Sequence, residues 1–181
     1  MEIKYRMDLN LLLKYYNLPR KVAEVGVAEG LFSRDMMTWG LELLYCVDYW
    51  NHQPNVTGDA NSSQEWHDLN FLQAKRLLQP WVQEGQVQFF QGASVKMAMC
   101  IPPGSLGLVY LDADHSLEGV TNDLEAWYST LAPGGIIAGH DYLNPSYGVK
   151  EAVTKFCRGR FTIHEIPEHK KEDAGFWFQI D

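Results

Sequence analysis

Short apolar runs alternate along this sequence with longer segments in which apolar residues recur at helical spacing. Such runs are typical of parallel strands that are buried on both faces of a sheet. The predicted strands are residues 22–26, 43–48, 86–91, 106–111, 136–139, 161–166 and 175–180. This alternation predicts an α/β fold, a doubly wound, Rossmann-like, seven-stranded and mostly parallel sheet with helices on both faces and a C-terminal antiparallel strand.

The segments between these runs have the pattern of amphipathic helices. The predicted helices are residues 8–18, 30–42, 65–81, 94–100, 117–131 and 147–158. Pro133, Gly134 and Gly135 are expected to end the fifth helix before the fifth strand begins. The polar residues 51–64 and the leading helix within residues 1–20 are candidate lids, because long polar loops above a rigid sheet often gate a site. At 181 residues, the chain is predicted to form one domain.

The composition narrows the class of function. The formal net charge is -8, which argues against binding to nucleic acid or to an anionic membrane, since both partners require clustered cations. No apolar run is long enough for a membrane helix, and the N-terminus lacks the pattern of a signal peptide. Three cysteines without a metal-binding spacing fit a reducing compartment. We therefore expect a cytoplasmic protein.

The turn after the first strand, residues 24–30 (EVGVAEG), limits the choice of cofactor. Its glycines allow the backbone to approach a ligand closely, but two of the three glycines of a dinucleotide fingerprint are missing. Asp48 ends the second strand, where its carboxylate can accept hydrogen bonds from both hydroxyls of a ribose. Glu24 can hydrogen-bond within the turn or attract a cationic group. These features suit a cofactor with a ribose and an ammonium group and without a pyrophosphate.

Five motifs between residues 22 and 142 resemble those of class I S-adenosylmethionine (SAM)-dependent methyltransferases. In order, they are VAEVGVAEGLFS, LYCVDYW, VQFFQGAS, LGLVYLDADH and LAPGGIIAGHDY. Each motif alone is a weak signal, but five in this order and at this spacing are a specific one. The residues after them fit the final β-hairpin of the same family. The sequence is therefore interpreted as a methyltransferase that binds SAM at its first turn.

The resemblance implies a cofactor site at the carboxyl ends of the strands. The implied residues are Glu24, Gly26, Gly30, Ser33, Asp48, Tyr49, Trp50, Gly92, Ala93, Ser94 and Asp112. The two glycines of the first turn would line the methionine part of SAM through their backbones, and Asp48 would hold the ribose. Tyr49 and Trp50 would border the adenine, with residues 92–94 on its other side. Asp112 would lie near the methionine amino group or the reaction centre.

Carboxylates and imidazoles follow the fourth strand (DADH) and the fifth strand (HDY). Adjacent parallel strands would bring these groups to one mouth, where like charges need a compensating cation or proton. The pattern resembles metal-dependent O-methyltransferases of sugars and natural products. This resemblance implies Asp112 and Asp141 as ligands of Mg²⁺ or Ca²⁺ and Asp114 as the base. His140 stands where those enzymes have an acidic residue, and it is the alternative general base.

The predicted reaction is SAM-dependent methyl transfer, with a hydroxyl of a small molecule as the expected acceptor. In such a step the hydroxyl attacks the sulfonium methyl in line, and the protein supplies positioning and a base. The short N-terminal region leaves little material for a substrate cap, so a homo-oligomer that completes the site is an open alternative. Two other functions stay open: a non-catalytic module that binds SAM or another nucleoside, and an oxidoreductase that uses a nicotinamide.

Overall fold

The structure is a computed structural model, and it describes residues 2–54, 58–170 and 173–181. Within these ranges the chain forms seven strands and six α-helices. The strands are β1 (Lys21–Val25), β2 (Leu43–Asp48), β3 (Val87–Gln91), β4 (Leu106–Leu111), β5 (Leu131–Gly139), β6 (His164–Ile166) and β7 (Gly175–Gln179). The helices are α1 (Leu9–Tyr15), α2 (Leu31–Met37), α3 (Gln64–Gln83), α4 (Ser94–Ala98), α5 (Leu117–Tyr128) and α6 (Val149–Cys157). Short 3-10 helices, Arg6–Asp8 and Gly58–Asn61, precede α1 and α3.

The strands form one sheet in the order β3-β2-β1-β4-β5-β7-β6. β1 pairs in parallel with β2 and β4, β2 pairs in parallel with β3, and β4 with β5. β7 runs antiparallel to both β5 and β6. The predicted fold class is confirmed, since the sheet is seven-stranded, mostly parallel and closed by an antiparallel C-terminal strand. The strand order reverses between β1 and β4, and doubly wound sheets bind their ligands at such a switch point.

Helices cover both faces of the sheet, as the sequence predicts. On one face, α1, α2 and α3 pack against strand residues such as Val22, Leu44 and Tyr110. On the other face, α4, α5 and α6 pack against the alternate residues, such as Ala23 and Val109. Successive side chains of a strand point to opposite faces, so a sheet covered on both sides needs apolar residues at every position. All six residues of β4 are buried for this reason.

The leading helix, α1, is a core element and not a lid. Leu9, Leu12 and Leu13 are at most 2% exposed, and they pack in the same cluster as α2 and α3. The other predicted lid, residues 51–64, lies partly outside the described residues, because these do not include 55–57. The part of the N-terminal region that approaches the carboxyl ends of the strands is the chain before α1.

The fifth strand begins earlier than predicted. The sequence predicts a start at Ile136, but β5 starts at Leu131. Leu131 pairs with Leu106 and Ile136 with Leu108, so residues 132–135 form a bulge between two paired positions. A bulge tolerates a proline and two glycines, because its residues need not donate to the neighbouring strand. Pro133, Gly134 and Gly135 therefore shape the strand instead of preceding it.

Other element boundaries differ from the prediction at their ends. The predicted strand over residues 161–166 is reduced to the three residues of β6, which pair with β7. Helix α3 is two residues longer at its C-terminal end than predicted, and it continues through Pro80. Among the residues that the structure describes, no helix is both long enough and apolar enough to cross a membrane.

One carboxyl group is buried between α4 and α5. Asp123 is 5% exposed and accepts a hydrogen bond from the hydroxyl of Ser94. Burial raises the pKa of Asp123 from 3.8 to about 6, although the bond from Ser94 opposes the shift, and the charge of Asp114 adds to it. A carboxyl whose pKa is raised by folding stabilises the protein when protonated, and this contribution is lost as the pH rises through the folded pKa.

We expect the substitution Asp123→Asn to make the free energy of unfolding less dependent on pH. The wild type should lose about 3 kcal/mol relative to Asp123→Asn between pH 4 and pH 8, an order-of-magnitude figure from about 1.4 kcal/mol per pKa unit. Urea unfolding of both proteins across this range measures the difference. Glu125→Gln, at an exposed position of the same helix, is the control, and an equal pH response in all three proteins would contradict the prediction.

Candidate active site

The switch point of the sheet brings the end of β1 against the end of β4. Gly26, which follows β1, has a φ of +92°, and a Cβ there would lie 2.0 Å from the carbonyl oxygen of Asp112. Asp112 directly follows β4. Only glycine satisfies both conditions, since the backbone is left-handed and touches another backbone. Gly26 therefore allows the first turn, residues 26–30, and Asp112 to border the same crevice.

The carboxylate of Asp48, at the end of β2, holds the first turn. Its Oδ2 accepts hydrogen bonds from the backbone N–H groups of Val27 and Ala28, at 2.8 and 2.9 Å. Its Oδ1 accepts from the backbone N–H of Trp50 at 3.0 Å. Bonds to a charged acceptor are stronger than neutral ones, so Asp48 fixes the turn against β2. Ribose binding by Asp48 stays a prediction, and a carboxylate has further lone pairs for it.

The structure corrects the prediction that Trp50 borders the adenine. Its indole ring is 1% exposed and stacks on Phe71, with 4.4 Å between the ring centroids. Its Nε1 donates to the backbone oxygen of Ala28 at 2.9 Å. Trp50 therefore ties the first turn to the core and offers no ring face to a ligand. Tyr49 is 39% exposed and is an aromatic side chain that a ligand can reach.

Three other predicted cofactor residues are buried in the first turn or beneath it. Glu24 is almost fully buried, and it accepts a hydrogen bond from the hydroxyl of Ser33, which has no exposed surface. Burial raises the pKa of Glu24 well above its ordinary value, although the bond from Ser33 opposes this shift. Gly30 is buried, and a Cβ there would lie 3.1 Å from the side chain of Ala74 in α3. Ser33 has no exposed surface, which corrects the ligand contact predicted for it. Contact between the backbone of Gly30 and the cofactor stays a prediction.

Residues 92–94, which follow β3, lie beside Asp48. The backbone N–H of Gly92 donates to the backbone oxygen of Asp48 at 3.0 Å, and Ala93 is exposed. The hydroxyl of Ser94 turns towards α5, where it accepts from the indole N–H of Trp127 at 2.8 Å. The hydroxyl of Ser94 therefore points away from the site, and only the backbone of Ser94 could contact a ligand. The adenine-binding role of this segment stays a prediction.

Four side chains converge beyond the ends of β4 and β5, and we call them the acid–imidazole cluster: Asp112, His115, His140 and Asp141. Nε2 of His115 lies 3.2 Å from Oδ1 of Asp112 and 3.2 Å from Oδ2 of Asp141. Nδ1 of His140 lies 3.1 Å from the same oxygen of Asp141 and 4.0 Å from Oδ1 of Asp112. The side chains that follow β4 and β5 therefore lie together at one edge of the sheet, as their positions in the sequence predict.

The charges of the acid–imidazole cluster compensate one another. Burial alone would lower the pKa of His115 and of His140, but a hydrogen bond to a carboxylate and the charges of Asp112 and Asp141 raise both pKa values. Burial alone would raise the pKa of Asp141, but the hydrogen bond and charge of His140 lower it. Two carboxylates this close require positive charge between them, which either imidazolium protons or a divalent cation can supply.

Backbone strain is concentrated around this crevice. Ala28, Trp50 and Asp141 have φ values of +47°, +42° and +56°, in the left-handed region that residues with a Cβ rarely adopt. Each of the three follows the carboxyl end of a parallel strand, β1, β2 or β5. Such strain costs on the order of 1 kcal/mol or more per residue and persists where the surrounding structure enforces it, often at functional sites.

Asp114 and His115, which follow Asp112 closely in the sequence, occupy different positions in the structure. Asp114, the predicted base, is exposed and accepts from the backbone N–H of Ser116 at 2.8 Å at the start of α5, and it lies outside the acid–imidazole cluster. His115, whose imidazole the sequence predicts near the ends of β4 and β5, lies inside it. Its ring also stacks on Tyr147, with 4.6 Å between centroids. The available signal was its position three residues after Asp112 in one turn.

Arg6 is a residue near the site that the sequence does not predict there. It lies in the N-terminal segment, residues 2–8, and its guanidinium carbon lies 4.4 Å from the centre of the Phe32 ring. Burial lowers the pKa of Arg6, but the hydroxyl of Tyr110 and the charges of Asp112 and Glu168 raise it above its ordinary value. The guanidinium therefore lies beside the end of β4. No motif marks Arg6, because it precedes β1 by a whole helix.

A seven-stranded sheet of this order, with a glycine turn after β1 and a carboxylate at the end of β2, defines a class I SAM-dependent methyltransferase. A family model described as a methyltransferase domain matches residues 23–142, about two thirds of the chain, and the chain belongs to that family. The matched region extends from β1 to the end of the fifth motif. It decides against the nicotinamide-dependent oxidoreductase. Among the curated proteins, none matches this sequence.

Solved structures share the fold at low sequence identity. A protein of Clostridium thermocellum provisionally named an rRNA-methylase matches with a TM-score of 0.69 at 15% identity, over 99% of each chain. An O-methyltransferase from Bacillus cereus, in complex with S-adenosylhomocysteine (SAH), matches at 0.67 and 12%, over 97% of this chain and 80% of that one. The SAM-bound O-methyltransferase TomG from Streptomyces achromogenes matches at 0.67 and 14%, over 97% and 79%. At these identities, the likeness concerns the fold.

We expect Gly26→Ala to weaken cofactor binding at the first turn, because the new Cβ would collide with the Asp112 backbone. SAH affinity, measured by calorimetric titration, should fall at least about tenfold. Gly85→Ala is a matched control, since Gly85 has a φ of +75° with nothing within 4 Å of a Cβ. That control should lose only about 1 kcal/mol of stability and no SAH affinity. Equal SAH affinities in the two variants would contradict this account of Gly26.

Proposed function

We propose that this protein transfers the methyl group of SAM to a hydroxyl group of a small molecule. The observation that carries the proposal is the position of the acid–imidazole cluster at the crevice where Gly26 contacts Asp112. A bound cofactor at the first turn would place its methyl group near titratable side chains. A neutral hydroxyl is a poor nucleophile and needs such groups, whereas the sulfonium methyl is already activated by the cofactor.

His140 is the side chain best suited to take the proton of the acceptor. Its Nδ1 contacts Asp141, which leaves Nε2 to accept a proton. In the proposed step the acceptor oxygen forms a bond to the methyl carbon as the bond from that carbon to sulfur breaks, and the hydroxyl proton passes to Nε2. Asp141 orients the imidazole and stabilises the imidazolium that results. Asp114, which the resemblance to metal-dependent enzymes implies as the base, is the alternative that mutagenesis must decide.

We further infer that Asp112, His115 and Asp141 hold a divalent cation. Each offers one ligand atom, and these atoms lie within 4.8 Å of one another. Two carboxylates suit Mg²⁺ or Ca²⁺, as predicted, while the imidazole of His115 adds a softer ligand that favours Mn²⁺ over Ca²⁺. When bound, such an ion would lower the pKa of an acceptor hydroxyl beside it.

An open groove next to the acid–imidazole cluster supports a small acceptor. The groove lies between α6 and the loop before it, and its lining includes Tyr147, Lys150, Lys155 and Arg158. Tyr147 stacks on His115, so the groove adjoins the cluster. Glu151 also lines the groove and pairs with Lys155 at 2.6 Å, which leaves Lys150 and Arg158 as the excess positive charge that favours an acceptor with an acidic group. The net charge of -8 supports a small acceptor over a nucleic acid, which would be repelled.

We expect His140→Gln and Asp141→Asn to lower turnover at least about 100-fold while SAH affinity changes less than about threefold, because both residues act on the acceptor and not on the cofactor. Release of SAH from SAM, measured by mass spectrometry over a panel of small phenols and hydroxy acids, gives turnover. Calorimetric titration with SAH gives affinity.

Asp114→Asn is the discriminating variant in this series. It retains an oxygen for the backbone N–H of Ser116 and should keep turnover within about threefold of wild type. Loss of turnover in Asp114→Asn alone would instead assign the base to Asp114. Wild-type SAH binding without turnover on any acceptor, unchanged by every variant, would favour the non-catalytic module.

We expect divalent cations to bind the wild type, with Asp141→Asn weakening Mn²⁺ or Mg²⁺ at least about tenfold, since a charged ligand is lost. Calorimetric titration of SAH-loaded protein with Mg²⁺, Ca²⁺ and Mn²⁺ measures this. Asp35→Asn, an exposed acid paired with Arg34, is the control. Equal ion affinities in wild type and Asp141→Asn would contradict a metal in the acid–imidazole cluster and leave protons as the compensating charge.

A further inference from the structure

We infer that the acceptor carries an anionic group, and that Lys150, Thr154 and Arg158 along α6 bind this group. The inference rests on the proposed methyl transfer, and it names the class of the acceptor and the side chains that recognise it. These three side chains line the groove between α6 and the loop before it. The family match ends at residue 142, so α6 lies beyond the motifs that the family shares.

The three side chains form one row on α6. Lys150 and Thr154 belong to this helix, and Arg158 directly follows its last residue. Residues four apart on a helix are neighbours on one face, so the row places a hydroxyl between two cations. All three residues are exposed. Lysine and arginine side chains are long and flexible, so Lys150 and Arg158 can reach an anion beside Thr154 from either side.

The charges of Lys150 and Arg158 are available to a ligand. Among the residues that the structure describes, neither side chain takes part in an ion pair. The ammonium of Lys150 lies 5.5 Å from the centre of the ring of Tyr142, a buried residue of the groove lining. Glu151 also lines the groove, but it pairs with Lys155. The groove therefore keeps an excess of positive charge in a protein whose net charge is -8, and this excess favours an anionic ligand.

The groove adjoins the acid–imidazole cluster at the start of α6. Tyr147, which lines the groove, stacks on His115. The backbone N–H of Gly148 donates to the backbone oxygen of His115 at 2.8 Å. Thr154 follows Gly148 by six residues, which corresponds to about 9 Å along a helix. An anion at Thr154 would therefore lie about two turns of helix away from the cluster.

Charge also separates the two ends of the acceptor. Asp112 and Asp141 would repel an anionic group at the cluster, whereas the acceptor hydroxyl must reach His140 to lose its proton. The anionic group therefore binds away from the reacting hydroxyl. The class of acceptor that fits is an elongated hydroxy acid or a hydroxylated phosphate ester, with roughly 9 Å between its hydroxyl and its anionic group.

The test compares probes of similar length that differ in charge: 3-(4-hydroxyphenyl)propionate, its neutral amide and 2-(4-hydroxyphenyl)ethyl phosphate. Calorimetric titration of SAH-loaded protein gives the Kd of each. Both anions should bind the wild type at least about tenfold tighter than the amide does. Lys150→Gln and Arg158→Gln should each raise the Kd of the anions about fivefold, as expected for an exposed ion pair, and Thr154→Val about twofold. The Kd of the amide should stay within about twofold in every variant. The tighter of the two anions distinguishes a carboxylate acceptor from a phosphate acceptor.

Lys14→Gln is the matched control for the loss of one positive charge. Lys14 is exposed on α1, which packs on the opposite face of the sheet from α6, and its replacement should change no Kd. Steady-state methyl transfer is the second readout. Lys150→Gln and Arg158→Gln should raise the KM of the anions and keep kcat within about twofold of wild type, because they bind the end of the acceptor that does not react.

The outcomes separate this inference from the proposed function. Equal Kd values of the anions and the amide in the wild type, or anion affinities unchanged in Lys150→Gln and Arg158→Gln, would overturn the anion site, while methyl transfer to any of the probes would still support the proposed function. Tight anion binding that both variants weaken, without methyl transfer to any acceptor, would overturn the proposed function and leave the anion site standing.

Discussion

The contact between Gly26 and the backbone of Asp112 is the constraint on which the rest of the site depends. It exists because a residue without a Cβ follows β1 at the point where the strand order reverses. The first turn and the acid–imidazole cluster come from strands that are far apart in sequence. This contact places them at one crevice, so that a cofactor on the first turn and an acceptor at the cluster would be neighbours.

Polar contacts then hold the strained backbone of the crevice in place. Asp48 accepts two N–H groups of the first turn, and the buried indole of Trp50 donates to the carbonyl of Ala28. Both side chains were expected to face the ligand, but they first stabilise the surface that the ligand meets. A site fixed in this way needs little rearrangement on binding, which is how positioning contributes to methyl transfer.

Charged side chains surround the crevice. Its carboxylates match a sulfonium and an ammonium, and their mutual repulsion is offset by His115 and His140. The guanidinium of Arg6 adds a positive charge at the end of β4. A cofactor that carries an ammonium, a carboxylate and a sulfonium fits this arrangement of charges, whereas a pyrophosphate does not. In the proposed reaction, the acceptor hydroxyl would lose its proton to His140.

The sequence by itself determined the sheet, its class and the strand ends that carry the site, because apolar periodicity and glycine positions act locally. Only the tertiary structure decided which side chains face the crevice. His115 joins the cluster and Asp114 accepts from the backbone N–H of Ser116 because one turn points successive side chains in different directions. Trp50 turns into the core to pack on Phe71, and Arg6 arrives from a distant segment. Both outcomes depend on long-range packing, which no local pattern encodes.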